Sequence, residues 1–312
     1  MKILLANPRG FCAGVNMAVD VVNQVLELRG SPVYVFHEIV HNLHVVKDFE
    51  RRGVTFVDHI SEVPEGSVVV YSAHGVSPMV RDASKNRRLV EIDATCPLVT
   101  KVHLEVLRFA RDGYTIVFIG HKNHDEAIGT VGEAPESMVI VESVADVERL
   151  QVPDETKMAF VTQTTLSIYD ANSIIAALRV RFPHIKAPPK EDICYATTNR
   201  QNVVSELANV VDMVLVIGSK NSSNSKRLVE TAEKLGVQGY LIDDAGELDP
   251  KWFTGKETIL VTAGASAPEH LVEGLLERLR TDFGATIDTK TLVHEDVFFA
   301  PPKSLKSLAV VG

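Results

Sequence analysis

The sequence predicts an α/β protein made of three small α/β domains with mostly parallel sheets. Three observations predict it. Short β-branched runs are apolar almost throughout, as strands buried on both faces are. Amphipathic stretches with helical spacing stand between them. A series of cysteine, helix, strand and polar loop recurs three times along the chain.

The strand candidates, in chain order, are "KILLA", "VYVF", "SVVVYS", "YTIVFIG", "MAFVTQ", "MVLVIGS" and "TILVTA". The first helix is read from Val15, Ala18, Val22, Val25 and Leu26, with Gly30 behind them as a C-cap. Strands alternating with such helices imply βα units and parallel sheets. Each cysteine precedes a helix-like stretch: Cys12 in "FCAGVNMAVDVV", Cys96 in "TCPLVTKVHLEV" and Cys194 in "ICYATTNRQNVV". A polar loop follows each, with His41 of "HEIVHN" at +29, His124 of "GHKNHDE" at +28 and Ser222 of "GSKNSSNS" at +28. A second polar loop closes a further apolar strand, with His74 of "YSAHGVSP" at +62, Thr164 of "VTQTTLS" at +68 and Ser266 of "VTAGASAP" at +72.

The chain therefore reads as three domain-sized repeats. The boundaries fall at 1–96, holding the N-terminal strand and the Cys12 loop, at 97–194, and at 195–312 with the C-terminal tail. In open parallel sheets, ligands bind beyond the carboxyl ends of the strands. Three such ends facing a common centre bring together three thiols and six polar loops.

Composition sets the outer bounds. A chain of 312 residues allows two or three domains at about 100–200 residues each. The net charge of −9 argues against general nucleic-acid binding, which uses basic patches. Three cysteines are no disulfide framework, so the reading is a reducing cytoplasm. "MKILLANPRG" turns polar at Asn7, unlike a secretory signal, and no run approaches the ~18 apolar residues of a membrane span.

A lone cysteine is usually a small core residue. These three stand at turns before helices, where backbone N–H groups and the helix dipole favour a thiolate. A single nucleophile would need one cysteine and a base, leaving two unexplained. Three equivalent thiolates suit a metal centre. Zinc with three cysteine ligands and an open fourth position is one form. A [4Fe–4S] cluster held by three cysteines, with one iron lacking a protein ligand, is the other. The spacing does not choose between them.

His41, His74, His124, Ser222, Ser223, Asn224 and Ser266 are donors at strand ends, several beside helix starts. Such a set suits a phosphate or diphosphate. Taken singly, the serines and asparagine are equally well read as helix N-caps. No dinucleotide or P-loop fingerprint is present. Glu126, at the start of the helix "DEAIGTVGE", is the nearest candidate general acid, although most glutamates on helices are surface residues. Thr164 and Thr165 would orient a hydroxyl, or else cap the helix near Ser167.

These motifs carry a resemblance. "ANPRGFCAGV", "HEIVHN", "SAHGV", "DATCPLVTKVH", "TQTTLS", "DICYATTNRQ", "GSKNSSNS" and "TAGASAP" resemble the 4-hydroxy-3-methylbut-2-enyl diphosphate reductase family of the non-mevalonate isoprenoid pathway. The likeness runs from Met1 to about Pro302. It implies a trefoil of three domains around a central [4Fe–4S] cluster held by Cys12, Cys96 and Cys194. It implies diphosphate binding by His41, His74, His124, Ser222, Ser223, Asn224 and Ser266, an acid at Glu126 and a hydroxyl-positioning Thr164. The implied reaction is reductive loss of the allylic C4 hydroxyl, giving isopentenyl and dimethylallyl diphosphates. The hydroxyl would bind the unique iron. Electrons would come from a carrier of the ferredoxin or flavodoxin type. A zinc hydrolase of a phosphorylated small molecule, and a non-enzymatic iron–sulfur sensor, are the alternatives.

Two departures stand out. Many members read "HPE" where this chain has His124-Asp125-Glu126, so Asp125 is expected to loosen the turn and to raise the pKa of Glu126. Many carry Asp-Arg where this chain has Asn16-Met17, a pair expected at the surface.

Overall fold

A computed structural model describes residues 1–310 of the chain. It opens with strand β1 (Lys2–Asn7) and helix α1 (Ala13–Arg29). Val15, Ala18, Val22 and Val25 are buried along one face of α1, and Gly30 ends it with φ 69°. Next come β2 (Val33–Phe36), α2 (Leu43–Arg51), β3 (Val54–Val57), β4 (Val68–Tyr71), α3 (Pro78–Asn86) and β5 (Val90–Asp93). The middle of the chain forms α4 (Pro97–Arg111), β6 (Thr115–Ile119), α5 (Asp125–Val131), β7 (Met138–Val141), α6 (Val144–Arg149), β8 (Met158–Thr162) and α7 (Ile168–Arg181). The last part forms α8 (Tyr195–Leu207), β9 (Met213–Ile217), α9 (Ser223–Lys234), β10 (Gln238–Ile242), β11 (Thr258–Ala263), α10 (Glu269–Phe283), β12 (Thr286–Thr291) and α11 (Lys303–Val310).

The strands form three sheets, ordered β3-β2-β4-β5, β7-β6-β8 and β10-β9-β11-β1-β12. Every pairing is parallel. The expected α/β class with mostly parallel sheets is thus found. The three sheets also share one order. A first strand (β2, β6, β9) lies between a second (β3, β7, β10) and a third (β4, β8, β11). A fourth segment then pairs with the third strand and leads to a cysteine. It is β5 before Cys96 and β1 before Cys12, and in the smallest sheet it is reduced to a parallel bridge between Ala159 and Lys186, before Cys194.

The N-terminal strand was expected in the first domain. It lies instead inside the five-stranded sheet, with Lys2–Leu5 beside Thr258–Val261 and Lys2–Asn7 beside Thr286–Thr291. "KILLA" is apolar on both faces and needs cover on both. Ile3 and Leu5 pack with α10 side chains such as Leu275 and Leu279, and Leu4 and Ala6 pack with Val203, Val204 and Leu228 of α8 and α9. The three-stranded sheet is covered in the same way, by α7 on one face and α4 on the other.

Contacts group the chain into two compact units. One comprises Met1–Val15, His41–Lys47 and Tyr195–Phe298 and holds the five-stranded sheet. The other comprises Asn16–Val40, Asp48–Cys194 and Phe299–Gly312 and holds the other two sheets. The C-terminal tail, expected with the third domain, joins the second of these. There α11 lies against β5, with Leu305 and Leu308 buried. Residues 311 and 312 of that tail lie outside the described residues. Among the described residues no helix is long and apolar enough to cross a membrane.

Candidate active site

Each cysteine sits where a strand-end loop meets a helix. The Cys12 N–H donates to the Ala265 carbonyl (3.2 Å), Cys96 N–H to Ala73 (3.0 Å) and Cys194 N–H to Thr164 (3.1 Å). The three acceptors lie in the three loops that follow β11, β4 and β8. Equivalent hydrogen bonds thus hold all three turns, and α1, α4 and α8 begin one residue after the cysteines. The thiols are reduced and half-buried. Half-burial at a helix start is the setting of a ligand thiolate rather than of core packing. A donor set of three such thiolates fits a [4Fe–4S] cluster with one open iron, and as a set it fits zinc equally.

In the unit holding Cys12, that turn is fixed from α8. Arg200 is wholly buried; it donates to the Gly10 carbonyl at 2.8 Å and pairs with Glu295 at 3.0 Å. The Tyr195 hydroxyl accepts from the Ala13 N–H at 3.2 Å. Burial pushes the Tyr195 phenol up to about 12, which keeps it neutral. Sequence reasoning missed both residues, although they lie within the quoted "DICYATTNRQ".

The same unit holds His41 and the serine loops. The segment around His41, expected in the first domain, is tied to the loop after β9 by a hydrogen bond from the Leu43 N–H to Ser219 Oγ (2.9 Å). Asn42 Oδ1 caps α2, accepting from the N–H groups of His44 and Val45 at 3.1 Å. Ser266 Oγ donates to the His41 carbonyl at 2.9 Å and lies 3.3 Å from Ser222 Oγ. Ser222 also caps α9, accepting from the Ser225 N–H at 3.3 Å. The capping reading therefore holds for Ser222, and the Ser222–Ser266 contact goes beyond it. Ser223 and Asn224 are buried in the first turn of α9. Asn224 is 4% exposed, and neither its Nδ2 nor its Oδ1 has a hydrogen-bond partner among the described residues. Buried amides are normally satisfied by protein, water or ligand, so this one is open to a polar partner. Gly264 makes this packing possible: a Cβ there would lie 2.0 Å from Ser225 Oγ.

The other unit holds His74, His124, Glu126 and Thr164. The His74 and His124 rings meet edge to face, 5.6 Å between centroids. Gly129 of α5 lets the helix lie on the His74 loop, since a Cβ would stand 2.9 Å from the Gly75 carbonyl oxygen. His124 caps α5, its Nδ1 accepting from the Glu126 N–H at 3.1 Å. That leaves Nε2 to carry a proton as a donor. Glu126 is 2% exposed. Its Oε1 accepts from the Thr164 N–H at 2.6 Å and its Oε2 from the Thr164 hydroxyl at 2.8 Å. Burial pushes the carboxyl up to about 7; the Thr164 hydrogen bonds oppose the shift, and the Asp192 charge adds to it. Such a carboxyl carries a proton near neutrality, as a general acid must. Thr164 is thus bound to Glu126, while Ser167 caps α7, accepting from the Asp170 N–H at 3.2 Å.

The expected effect of Asp125 on Glu126 is not what the geometry gives. Asp125 Oδ1 lies 2.7 Å from His37 Nδ1, and that hydrogen bond raises the His37 pKa. The charge that acts on Glu126 is that of Asp192, whose Oδ2 accepts from the Thr162 N–H at 2.9 Å. Asp192 stands two residues before Cys194, at the head of the quoted "DICYATTNRQ", and sequence reasoning missed it as well. Of the Asn16-Met17 pair, Asn16 is exposed, but Met17 is buried among the α1 core residues.

Residues 3–280 match the LytB protein family. The chain belongs to that family. A LytB-family relative from Rhodopirellula baltica, a 4-hydroxy-3-methylbut-2-enyl diphosphate reductase, is 54% identical over 309 residues, which is 99% of this chain and 97% of the relative. One of the same name from Azoarcus sp. is 53% identical over 305 residues, covering 98% of each. The solved structure of the E-1-hydroxy-2-methyl-but-2-enyl-4-diphosphate reductase from Plasmodium falciparum superimposes with a TM-score of 0.97 at 41% identity, covering 99% of this chain and 98% of that one.

Proposed function

We propose that the protein reduces (E)-4-hydroxy-3-methylbut-2-enyl diphosphate to isopentenyl and dimethylallyl diphosphates, the last step of the non-mevalonate route. The likeness over nearly the whole chain to reductases of that name is the observation that carries the reading. Those relatives are reductases, and they lend nothing to the zinc-hydrolase alternative. Each turnover consumes two electrons and two protons, breaks the allylic C–O bond and releases water.

In this reading Cys12, Cys96 and Cys194 hold one [4Fe–4S] cluster. When bound, the cluster supplies electrons one at a time and an open iron that acts as a Lewis acid. The chain's residues do the rest. His41, His74 and His124 with Ser222, Ser223, Asn224 and Ser266 hold the diphosphate. Thr164 orients the substrate hydroxyl. Glu126, protonated near neutrality, delivers a proton to the leaving oxygen. The three-domain division at 96 and 194 belongs to the same reading, with the N-terminal strand assigned to the third domain. So do a reducing cytoplasm, which keeps the thiols available, and an external carrier of the ferredoxin or flavodoxin type.

Anaerobic turnover of the allylic diphosphate with a reduced one-electron donor tests the activity. Purified protein should be brown, absorb near 400 nm and hold about four irons per chain. Changing any one of the three cysteines to serine should abolish that absorption and the turnover. A colourless protein with one zinc would sink the reading.

A further inference from the structure

We propose that Arg81, Glu133 and His103 form a positioning network that holds the His74 loop for anion binding. The inference rests on the diphosphate role given to His74 above and adds what fixes that side chain. The three residues act through the loop and not on the substrate.

Glu133 follows α5, and its side chain is 4% exposed. It takes one donor from each of two other helices. Arg81 of α3 places Nη2 2.5 Å from Glu133 Oε1, and His103 of α4 places Nδ1 2.8 Å from the same oxygen. Burial works against a charge here, but the hydrogen bonds from His103 and Arg81 and the Arg81 charge hold the Glu133 carboxyl below the usual range. An ionised carboxylate only accepts, so His103 Nδ1 carries the proton.

Both donors also grip the His74 loop. Arg81 Nη1 donates to the Val76 carbonyl at 2.9 Å. The His103 ring packs against Gly75, where φ is 80° and a Cβ would stand 3.1 Å from Cε1 and 3.2 Å from Nε2. His103 Nε2 is buried without a hydrogen-bond partner among the described residues, so the ring is bound through Nδ1. His74 in turn leans on its own loop, with Nδ1 3.3 Å from Ser72 Oγ.

Helix α5 thus has two anchors. At its start Glu126 is bound by Thr164, and behind its end Glu133 is bound by α3 and α4. His124 belongs to the first anchor and His74 to the second. The edge-to-face contact of the two rings depends on both. A buried ionic cluster is a weak source of stability, because desolvation offsets its attraction, but it fixes one arrangement. Loss of the second anchor leaves the acid in place and loosens His74. A donor that must be ordered at binding costs affinity.

The test titrates inorganic diphosphate into the holoenzyme by calorimetry, without turnover, and sets the result beside KM and kcat for the allylic diphosphate. His103→Leu removes the donor to Glu133 and should raise both the diphosphate Kd and the KM about tenfold. The kcat should stay within about twofold, with iron content and absorption unchanged, because Glu126 and Thr164 still hold each other. His103→Asn puts an amide N–H in the place of Nδ1 and should bring Kd and KM back to within about threefold of wild type. Arg81→Met, at a side chain 31% exposed, keeps the His103–Glu133 bond and should raise both about threefold. It judges the inference if His103→Leu does not fold. Folded, iron-loaded variants with Kd and KM unchanged would overturn the inference alone. A His103→Asn no better than His103→Leu would overturn it too, as would a fall in kcat without a rise in KM. A wild-type holoenzyme that binds diphosphate without turnover would end the reductase reading, and the titrations would still judge the network. A wild type that binds no diphosphate would overturn the role of His74 and the network with it.

Discussion

The loops after β6 and β8 and the loops after β9 and β11 hold the same places in their own sheets, yet their chemistry is opposite. The first pair carries His124, Glu126 and Thr164, an imidazole and a carboxyl that can titrate and a hydroxyl bound to the carboxyl. The second carries Ser222, Ser223, Asn224 and Ser266, which are neutral at any physiological pH. One scaffold position thus carries titratable groups in one sheet and neutral donors in another. Burial makes the difference matter. It shifts a carboxyl towards neutrality, whereas it only fixes the direction of hydroxyls and amides.

The comparison breaks most easily at Glu126. Glu126→Gln should lower kcat by about 10²–10⁴-fold while leaving cluster iron and absorption intact. The wild-type kcat should fall as pH rises through about 7, where the acid loses its proton, and the variant should lack that limb. A kcat near wild type in Glu126→Gln would remove the proton-donor role.

Stability offers a second contrast. Below pH 4.5 Glu126 is protonated in both folded and unfolded chains, so it contributes no pH dependence. Between pH 4.5 and about 7 the unfolded chain ionises while the folded one keeps its proton. Folding stability therefore falls as pH rises through that window, by a few kcal/mol in order of magnitude, and is level above it. The thermal midpoint of Glu126→Gln relative to wild type should rise across the same window. Ser222→Ala should show no such slope.

The neutral half is sensitive to shape. Gly264→Ala should cost about 1–3 kcal/mol in denaturant unfolding, because the new methyl group meets the Ser225 hydroxyl. The smallest effect is expected from Ser266→Ala. Loss of one neutral donor is worth about 1 kcal/mol, which is about fivefold in KM with kcat nearly unchanged. A large fall in kcat instead would mean that the neutral half shares in the chemistry.

The strands visible in the sequence are those buried on both faces. β1, β2, β4, β6, β9 and β11 are interior strands, and β8 is flanked by β6 and the Lys186 bridge. The strands left unread, β3, β5, β7, β10 and β12, are all sheet edges. "TIDTKT" and "VEID" show why for two of them: an edge strand can leave polar side chains in water and lose the apolar run. The candidate loops were legible because strand ends in parallel sheets carry function. Asp192, Arg200 and Tyr195 were not, because each acts through a partner distant in sequence. The pairing of β1 with β11 and β12 was hidden for the same reason. Apolar alternation says that a strand is buried but not beside which neighbour.

That pairing has a consequence for biosynthesis. The strand that leaves the ribosome first belongs to the sheet that is completed last. β1 has no neighbours until Thr258–Ala263 and Thr286–Thr291 have emerged. The turn carrying Cys12 waits with it, since its anchors Ala265, Arg200 and Glu295 are also late. A nascent chain can complete the sheets before Cys96 and Cys194 while Cys12 is still unheld. The third cysteine turn is thereby held only when translation is nearly done, and a truncated chain lacks its anchors.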